Sequence, residues 1–536
     1  MYACPNCSGN LKFNIEKQAL YCDFCNNVVD PYSVVKERDA EEGDKVIKEG
    51  VKDTNLFYDL CPGCGAKREG NETVCSFCGI SLAKPIDVAV KESGSDAEDY
   101  YEVSSFRCPQ CGGEILTEDN EAAAFCSFCG GSTILDRRIS RARRPKFIIP
   151  FKQSKKDCMT QYGKFMKGAF FAPPEMKSEK CVDSFRGIYM PYWTYATSKH
   201  DRVSINGNRT YYRGDYKYTE NHSLSADVDM VYNNVSYDAS SSFSDNLSQG
   251  IAPFDQSQQQ EFTPSFLSGF YADTNDMDDM VYQNDAQELI ARNAYKKFKA
   301  IPGFSKYSCN DKQNTDKLRP NVDGKFLTML PIWFMSIRSK NKKGEERVSY
   351  TVVNGQTGKV AGDIPISVNK YILASSILSL ILFILLNFVF NLTIVPKYTL
   401  IGAGIVSLIM AGIFSKHESE IVQRELGEDD KGLMTLKKKD EEPSNNIAKK
   451  QKEHKKMVES MKQKSYWWIP LIAAGGVLAL EYTVGLVSDL WFYGASILCM
   501  AYIVWCVIRI VSRYNQLTTR KLPQFSRKGG DDSAQV

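Results

Sequence analysis

The sequence predicts a multi-domain protein that consists of small β zinc ribbons, an α+β middle domain and an α-helical membrane region with four transmembrane helices. Three observations support this prediction. Paired cysteines are confined to the first quarter of the chain, polar and aromatic residues alternate in its middle, and long uncharged stretches occupy its C-terminal third. A chain of 536 residues has room for several such parts.

Twelve of the 17 cysteines lie before residue 130, and all twelve form pairs separated by two residues. Two such pairs, joined by a short hairpin, bring four sulfurs to the corners of a tetrahedron, which is the arrangement that zinc prefers. We therefore predict three closed, structural Zn2+ sites in three ribbons, over residues 1–30, 57–82 and 104–136. Their ligands are Cys4, Cys7, Cys22 and Cys25; Cys61, Cys64, Cys75 and Cys78; and Cys108, Cys111, Cys126 and Cys129.

Redox-active Cys-x-x-Cys motifs are the alternative interpretation of these pairs. No thioredoxin-like pattern of strand and helix surrounds them, which favours zinc. No apolar run precedes Cys4, so we expect no signal peptide and a reducing compartment for the cysteines.

The charge of the ribbon region argues against nucleic acid as its partner. Through Asp136 the chain has 12 Lys or Arg against 24 Asp or Glu, whereas phosphate binding requires a positive surface. A basic cluster follows, and it is predicted to be a solvated hinge or a contact with anionic lipid, with nucleic acid as the weaker alternative. The cluster contains Arg137, Arg138, Arg141, Arg143, Arg144 and Lys146.

Residues 146–366 are predicted to form the α+β domain. A helix is expected over residues 155–171, a buried aromatic strand over 185–197, and hairpins over 201–245 with a turn at Asn206-Gly207. A second helix, over residues 276–299, should bury Met280, Leu289, Ile290 and Tyr295. Strands over residues 326–340 and 347–365 follow.

The predicted strands contain a short internal similarity, because Pro191 and Trp193 are matched by Pro331 and Trp333. This suggests two related halves within the domain. Neither half contains a catalytic constellation or a phosphate-binding loop, so a non-enzymatic protein is expected.

The C-terminal third is predicted to cross the membrane four times. Residues 371–414 and 467–511 form two apolar hairpins, separated by a charged loop at 415–466 and followed by a tail at 512–536. The loop contains 13 Lys or Arg, whereas the short links within the hairpins contain none, so both termini should be cytoplasmic. Glu481, within a span, raises a weaker alternative, a transporter or channel component.

The residues resemble a family of membrane-anchored zinc-ribbon proteins from Firmicutes bacteria, commonly described as TFIIB-type zinc-ribbon or PriA-like proteins. The resemblance rests on FRCPQCGGEI with FCSFCGGSTIL, on FIIPFKQSKKD, on RGIYMPYWTY and on VVNGQTGKVAGDIPIS, and it covers roughly residues 105–390. It implies location in the bacterial cell membrane and partners in envelope stress that are PspA-like or flotillin-like. No helicase activity is implied, because the ATP-binding loop is absent from the sequence.

Together these observations predict a non-enzymatic scaffold or adaptor that docks cytoplasmic partner proteins at membrane lipid. A membrane-tethered nucleic-acid-binding protein is the alternative.

Overall fold

The computed structural model describes residues 2–34, 100–108, 114–116, 126, 128–129, 136–178, 184–241, 243–301, 305–340, 344–385, 388, 395–432, 434–435, 447–485 and 488–521. These residues form two sheets and a set of apolar helices, with the cysteine clusters at the N-terminal end of the chain. The second predicted ribbon, residues 57–82, lies outside the described residues.

The N-terminal sheet has four antiparallel strands in chain order. It consists of β1 (Tyr2–Ala3), β2 (Asn10–Asn14), β3 (Ala19–Cys22) and β4 (Val28–Val29). Strands this short bury little apolar surface of their own. The predicted ribbon over residues 1–30 coincides with this sheet.

The second sheet has 13 described strands, and its centre is a pair of long antiparallel neighbours, β9 and β14. Its strands are β5 (Tyr100–Arg107), β6 (Glu114–Leu116), β7 (Asp136–Arg143), β8 (Phe147–Ile148), β9 (Arg186–Arg213), β10 (Tyr216–Asp238), β11 (Gln260–Glu261), β12 (Tyr271–Ala272), β13 (Ser308–Cys309), β14 (Asn321–Lys340), β15 (Glu346–Asn354), β16 (Val360–Gly362) and β17 (Arg520–Lys521).

The described α-helices are α1 (Lys155–Gly168), α2 (Asp245–Ile251), α3 (Gln283–Lys299), α4 (Asp311–Lys317), α5 (Val368–Ile384), α6 (Pro396–Leu426), α7 (Ile447–Met461), α8 (Trp468–Val484) and α9 (Asp489–Leu517). Helix α1 begins with a full capping box, in which the Ser154 hydroxyl accepts a hydrogen bond from the Asp157 amide and the Asp157 carboxylate accepts one from the Ser154 amide. This helix was predicted, although it ends at Gly168 rather than at residue 171.

The two proline- and tryptophan-containing segments are adjacent strands of one sheet rather than separate halves. Pro191 lies opposite Met329, and Pro331 lies opposite Tyr189, in the pairing of β9 with β14. The side chains of Trp193 and Trp333 are both buried.

The predicted turn at Asn206-Gly207 is wrong. Both residues lie inside β9, where they pair with Ser223 and His222 of β10, and the hairpin turns instead at Gly214, whose φ is +64°. Ser198 is the last residue of β9 that pairs with β14, and the hairpin of β9 with β10 continues from there to its turn, so it forms a long arm. Helix α3 packs beneath this arm.

The predicted apolar face of α3 is partly wrong. Ile290 and Tyr295 are buried, as expected, but Leu289 lies on the solvent side with 43% of its surface exposed, and Met280 precedes the helix. Small residues complete the buried face, since Ala286 and Ala291 are fully buried.

The basic cluster is not a hinge, because most of it forms strand β7. The register of β7 against β5 places Arg137 opposite Phe106 and Arg143 opposite Tyr100. The guanidinium of Arg143 stands 5.1 Å from the ring centre of Trp193, a distance typical of a cation–π contact. The sheet therefore begins at Tyr100, well before residue 146, and its first strands overlap the range predicted for the third ribbon.

Two described helices, α6 and α9, are long and apolar enough to cross a membrane. Helices α5 and α8 are also apolar but shorter, at 17 residues each. Helix α8 packs on α6 and α9 through a cluster that contains Leu400, Ala474 and Cys499. Helix α6 continues to Leu426, so the predicted loop at 415–466 begins as part of this helix.

Buried ion pairs attach α6 and α9 to each other and to the sheet. The Arg513 guanidinium donates two hydrogen bonds to the Glu418 carboxylate, at 2.5 and 2.6 Å, and Glu418 is 2% exposed. Arg347 of β15, 3% exposed, donates to the Glu425 carboxylate at 2.6 Å and to the Thr519 carbonyl at 2.6 Å. The chain then adds β17 to the sheet beside Arg347.

The segment that follows α6 packs on the sheet domain. The Lys431 amide donates a hydrogen bond to Asp245 at the start of α2, and the Lys431 ammonium pairs with Asp285 of α3. A Cβ on Gly432 would lie 2.1 Å from the Met277 Cε, so a larger residue at this position would require the Met277 side chain to move. Part of the predicted loop is therefore a docked element.

We expect Glu418→Ala to lower the free energy of unfolding by about 3–5 kcal/mol, because it leaves the Arg513 guanidinium without its carboxylate in a buried site. Thermal unfolding of the detergent-solubilised protein measures the change. Glu420→Ala, on the same helix but in exposed pairs with Lys416 and His417, is the matched control and should cost less than about 1 kcal/mol. Equal losses for the two variants would contradict a structural role for the buried pair.

Candidate metal centres

The first cysteine cluster is formed by two equivalent turns. In the first turn, the Cys4 amide donates to the Gly9 carbonyl at 2.7 Å and the Ser8 amide donates to the Cys4 carbonyl at 2.8 Å. In the second turn, the Cys22 amide donates to the Asn27 carbonyl at 3.0 Å and the Asn26 amide donates to the Cys22 carbonyl at 2.9 Å. Each Cys-x-x-Cys pair thus lies at the start of its own loop, and the two loops have the same pattern of backbone hydrogen bonds.

Both turns need a residue in the left-handed backbone region four positions after their first cysteine. Ser8 and Asn26 occupy those positions with φ of +58° and +60°. Asparagine tolerates this region better than most residues with a side chain. At Gly9 an added Cβ would lie 3.3 Å from the sulfurs of both Cys7 and Cys22, so glycine keeps the space next to the cluster open.

The four sulfurs of Cys4, Cys7, Cys22 and Cys25 all lie within 4.8 Å of one another. The Cys4 and Cys25 sulfurs are 3.6 Å apart, and those of Cys7 and Cys22 are 3.4 Å apart. In a tetrahedral site with metal–sulfur bonds of about 2.3 Å, neighbouring sulfurs stand about 3.8 Å apart. The cluster therefore has the size of a four-thiolate metal site.

The protonation of the four thiols is coupled. Burial opposes ionisation of Cys4, but hydrogen bonds from the backbone amides of Asn6 and Cys7 prevail and lower its pKa to about 6. The pKa of Cys22 is also lowered, first by the backbone amide of Cys25. The pKa of Cys7 is raised to about 12, because the side chains of Cys25 and Cys22 outweigh a favourable backbone contact at Gly9. A bound cation would allow all four sulfurs to ionise together.

The third cluster is part of the sheet domain. The sulfurs of Cys108, Cys126 and Cys129 lie within 4.8 Å of one another, and all three residues are fully buried. The Cys108 and Cys129 sulfurs are 3.7 Å apart. Cys111, the predicted fourth ligand, lies outside the described residues, as do the four cysteines of the second predicted site. Two cysteine groups can thus hold a metal ion in the described part of the chain.

Arg338 of β14 is a neighbour of the third cluster that the sequence analysis missed. Its Nη2 donates to the Cys129 sulfur at 3.0 Å, and its Nε donates to the Cys129 carbonyl. A guanidinium at this distance stabilises a thiolate and orients it. Little in the sequence indicates that Arg338 contacts a cysteine, because it is a single cation at the end of a long apolar strand, far along the chain from Cys129.

Both clusters are joined to the hydrophobic core of the larger sheet. Leu11 and Phe13 of the first ribbon pack with Phe266, and the Ser268 hydroxyl donates to the Leu11 carbonyl at 2.6 Å. Phe128, between two cysteines of the third cluster, contacts Phe334 with ring centres 6.2 Å apart. The first and third cysteine regions, the two that the structure describes, are therefore packed on the sheet domain instead of projecting from it.

One aromatic side chain of the first ribbon faces the opposite way. Phe24, between Cys22 and Cys25, is 80% exposed, and Val28, four residues further along the chain, is 48% exposed. The first cysteine cluster thus has an exposed aromatic side chain next to two of its sulfur-bearing residues.

No family model matches the chain, and no solved structure matches it. Among curated proteins, it is similar to "Uncharacterized protein YdjG" of Bacillus subtilis (strain 168). The two are 29% identical over an alignment of 323 residues, which covers 50% of this chain and 92% of that protein.

We expect the double variant Cys22→Ser/Cys25→Ser to lose one metal ion per chain, because two of the four sulfurs in the first cluster are removed. Elemental analysis of the purified protein measures the stoichiometry. Cys158→Ser, which changes a buried thiol of α1 away from both clusters, controls for general destabilisation and should retain the full metal content. An unchanged metal content in the double variant would exclude the first cluster as a metal site.

Proposed function

We propose that the chain is a non-enzymatic membrane scaffold whose zinc-bearing ribbons dock cytoplasmic proteins at the membrane. The observation that carries the proposal is the two-sided first ribbon, with one face packed into the sheet domain and Phe24 exposed beside the cysteines. A four-thiolate site has no open position for a substrate, so its role is to hold this surface in place. Exposed aromatic residues on a rigid support are typical anchors of protein interfaces.

We also propose zinc as the metal, at three sites that include the four cysteines outside the described residues. Zinc favours four-thiolate tetrahedral sites, and the described sulfur separations fit one. The resemblance noted above suggests PspA-like or flotillin-like proteins as the docked partners, and we propose that class for the capture experiment below.

We propose four membrane spans with both termini on the cytoplasmic side. Support comes from the packing of α8 with the two long helices and from the position of the sheet domain. The domain contacts the end of α6 through Glu425 and the end of α9 through Thr519, so the charged loop and the tail emerge on the domain's own side. At the opposite end of the bundle, Lys397 pairs with Glu481 at 3.0 Å. This pair gives Glu481 a structural partner near the far end of its span.

The docking proposal predicts that Phe24→Ala reduces the recovery of partner proteins by at least tenfold, which corresponds to about 1.4 kcal/mol of binding free energy. Tagged full-length protein is purified from membranes after nuclease treatment, and the captured proteins are identified by mass spectrometry. Tyr216→Ala, an equally exposed aromatic at the hairpin tip, is the control and should retain the partners.

Two results would contradict docking through the first ribbon. One is recovery of the same partners from the Cys22→Ser/Cys25→Ser variant. The other is loss of all partners on nuclease treatment, which would favour the nucleic-acid-binding alternative.

The four-span topology predicts opposite labelling of two single-cysteine positions by a membrane-impermeant maleimide in intact cells. Ser488→Cys, between α8 and α9, should react from outside, whereas Lys416→Cys, on the exposed side of α6 near its domain end, should react only after the membrane is opened. Labelling of both positions, or of Lys416→Cys alone, in intact cells would reject this orientation.

A further inference from the structure

A polar cleft of about 590 Å3 opens beside the arm formed by β9 and β10, far along the chain from the cysteine clusters. Three backbone segments form its walls: one each from β9 and β10, and the segment that runs from β13 into α4. The lining residues are Asn206, Gly207, Asn208, Asn221, His222, Ser223, Ser308, Cys309, Asn310, Gln313 and Asn314. Six of these eleven are carboxamides, and none of them is Asp, Glu, Lys or Arg.

The strand register gathers the polar side chains on one surface. Asn208 lies opposite Asn221 of β10 and opposite Ser308 of β13, and Asn206 lies opposite Ser223. Residues directly opposite one another in a sheet point to the same face, and so do residues two apart along a strand. These five short polar side chains therefore share one face of a three-stranded patch.

Hydrogen bonds to the backbone hold the α4 side of the cleft. Asn314 is 2% exposed; its Oδ1 accepts from the Asn206 amide at 3.3 Å, and its Nδ2 donates to the Asn206 carbonyl at 2.8 Å. The Asn310 side chain accepts from the Gln313 amide at 3.3 Å. On the arm, the imidazole of His222 lies against the ring of Tyr307, with centres 4.5 Å apart. A cleft held in this way loses little conformational freedom when a ligand binds.

The uncharged, carboxamide-rich lining favours a neutral ligand that both donates and accepts hydrogen bonds. An anionic ligand would require a cation, and a cationic ligand would require a carboxylate. A purely apolar ligand would leave the carboxamides without the hydrogen bonds that they make with water. Each carboxamide both donates and accepts hydrogen bonds, which is the pattern that complements the hydroxyls of a sugar.

We propose that this cleft binds a neutral saccharide. Its volume lies within the range of small-molecule sites, about 300–1,000 Å3, and it suits a short oligosaccharide. Asn221 and Gln313, on opposite walls, bind the sugar hydroxyls, while Asn314 and Asn310 maintain the shape of the site. This binding is independent of the metal centres and of the docking role proposed for Phe24.

Saturation-transfer NMR on the full-length protein in detergent micelles tests the proposal. The probes are three neutral trisaccharides (maltotriose, chitotriose and xylotriose), the anionic trisaccharide trigalacturonate, and the neutral peptide acetyl-Ala-Ala-Ala-amide. We expect saturable binding of at least one neutral trisaccharide and none of trigalacturonate. Asn221→Ala combined with Gln313→Ala should weaken that binding at least tenfold. Asn284→Ala, an exposed carboxamide on α3, is the matched control and should leave it unchanged.

Three outcomes would overturn the proposal: no saturable binding of any of the three neutral trisaccharides, binding that the double variant leaves unchanged, or stronger binding of the neutral peptide than of every saccharide. Unaltered thermal unfolding of the double variant confirms that its lost binding reflects the cleft and not misfolding.

Discussion

The attachment of the apolar helices to the sheet depends on buried arginines, and Arg347 is the most connected of them. Its guanidinium reaches a carboxylate of α6, the Gln516 carbonyl near the end of α9 and Thr519 just after that helix, while its backbone belongs to β15. Arginine suits this role because its planar group donates five hydrogen bonds in fixed directions. Because the guanidinium is buried, it has lost its hydration and depends on these hydrogen-bond partners, so the loss of one of them would destabilise the fold.

The ribbons and the large sheet stabilise each other through a shared core. A sheet of four short strands cannot bury enough apolar surface to fold alone, and a metal ion bound at the cysteines would offset part of that deficit. The rest comes from aromatic contacts such as those of Phe13 with Phe266 and of Phe128 with Phe334. Arg338 strengthens the second attachment, because it contacts Cys129 and also pairs with Glu346 of β15. The third cluster is thereby linked to the strand that carries Arg347.

Local patterns in the sequence were sufficient to predict features that depend on residues close together in the chain. The cysteine spacing predicted the first cluster, and the alternation over residues 201–245 predicted antiparallel pairing there, which the β9–β10 hairpin confirms. Features set by tertiary contacts were missed. Asn206-Gly207 has the composition of a turn, yet pairing on both sides keeps it in a strand. Leu289 is apolar but exposed, because the buried face of α3 is formed by other residues, among them Ala286 and Ile290. The span prediction followed hydropathy and therefore could not show that α6 and α9 continue as helices into the domain.

The continuity of α6 and α9 gives the molecule a mechanical property. Helix α6, at 31 residues and about 1.5 Å per residue, is roughly 46 Å long, and it ends at residues that hold the sheet. The ion pair of Glu418 with Arg513 joins it to α9, so a rigid-body tilt of one helix would move the other with it. Apolar helices tilt in response to the thickness of the surrounding bilayer. If α6 and α9 cross the membrane as proposed above, a change in bilayer thickness that tilts them would move β15, and with it the neighbouring strand whose Arg338 contacts Cys129.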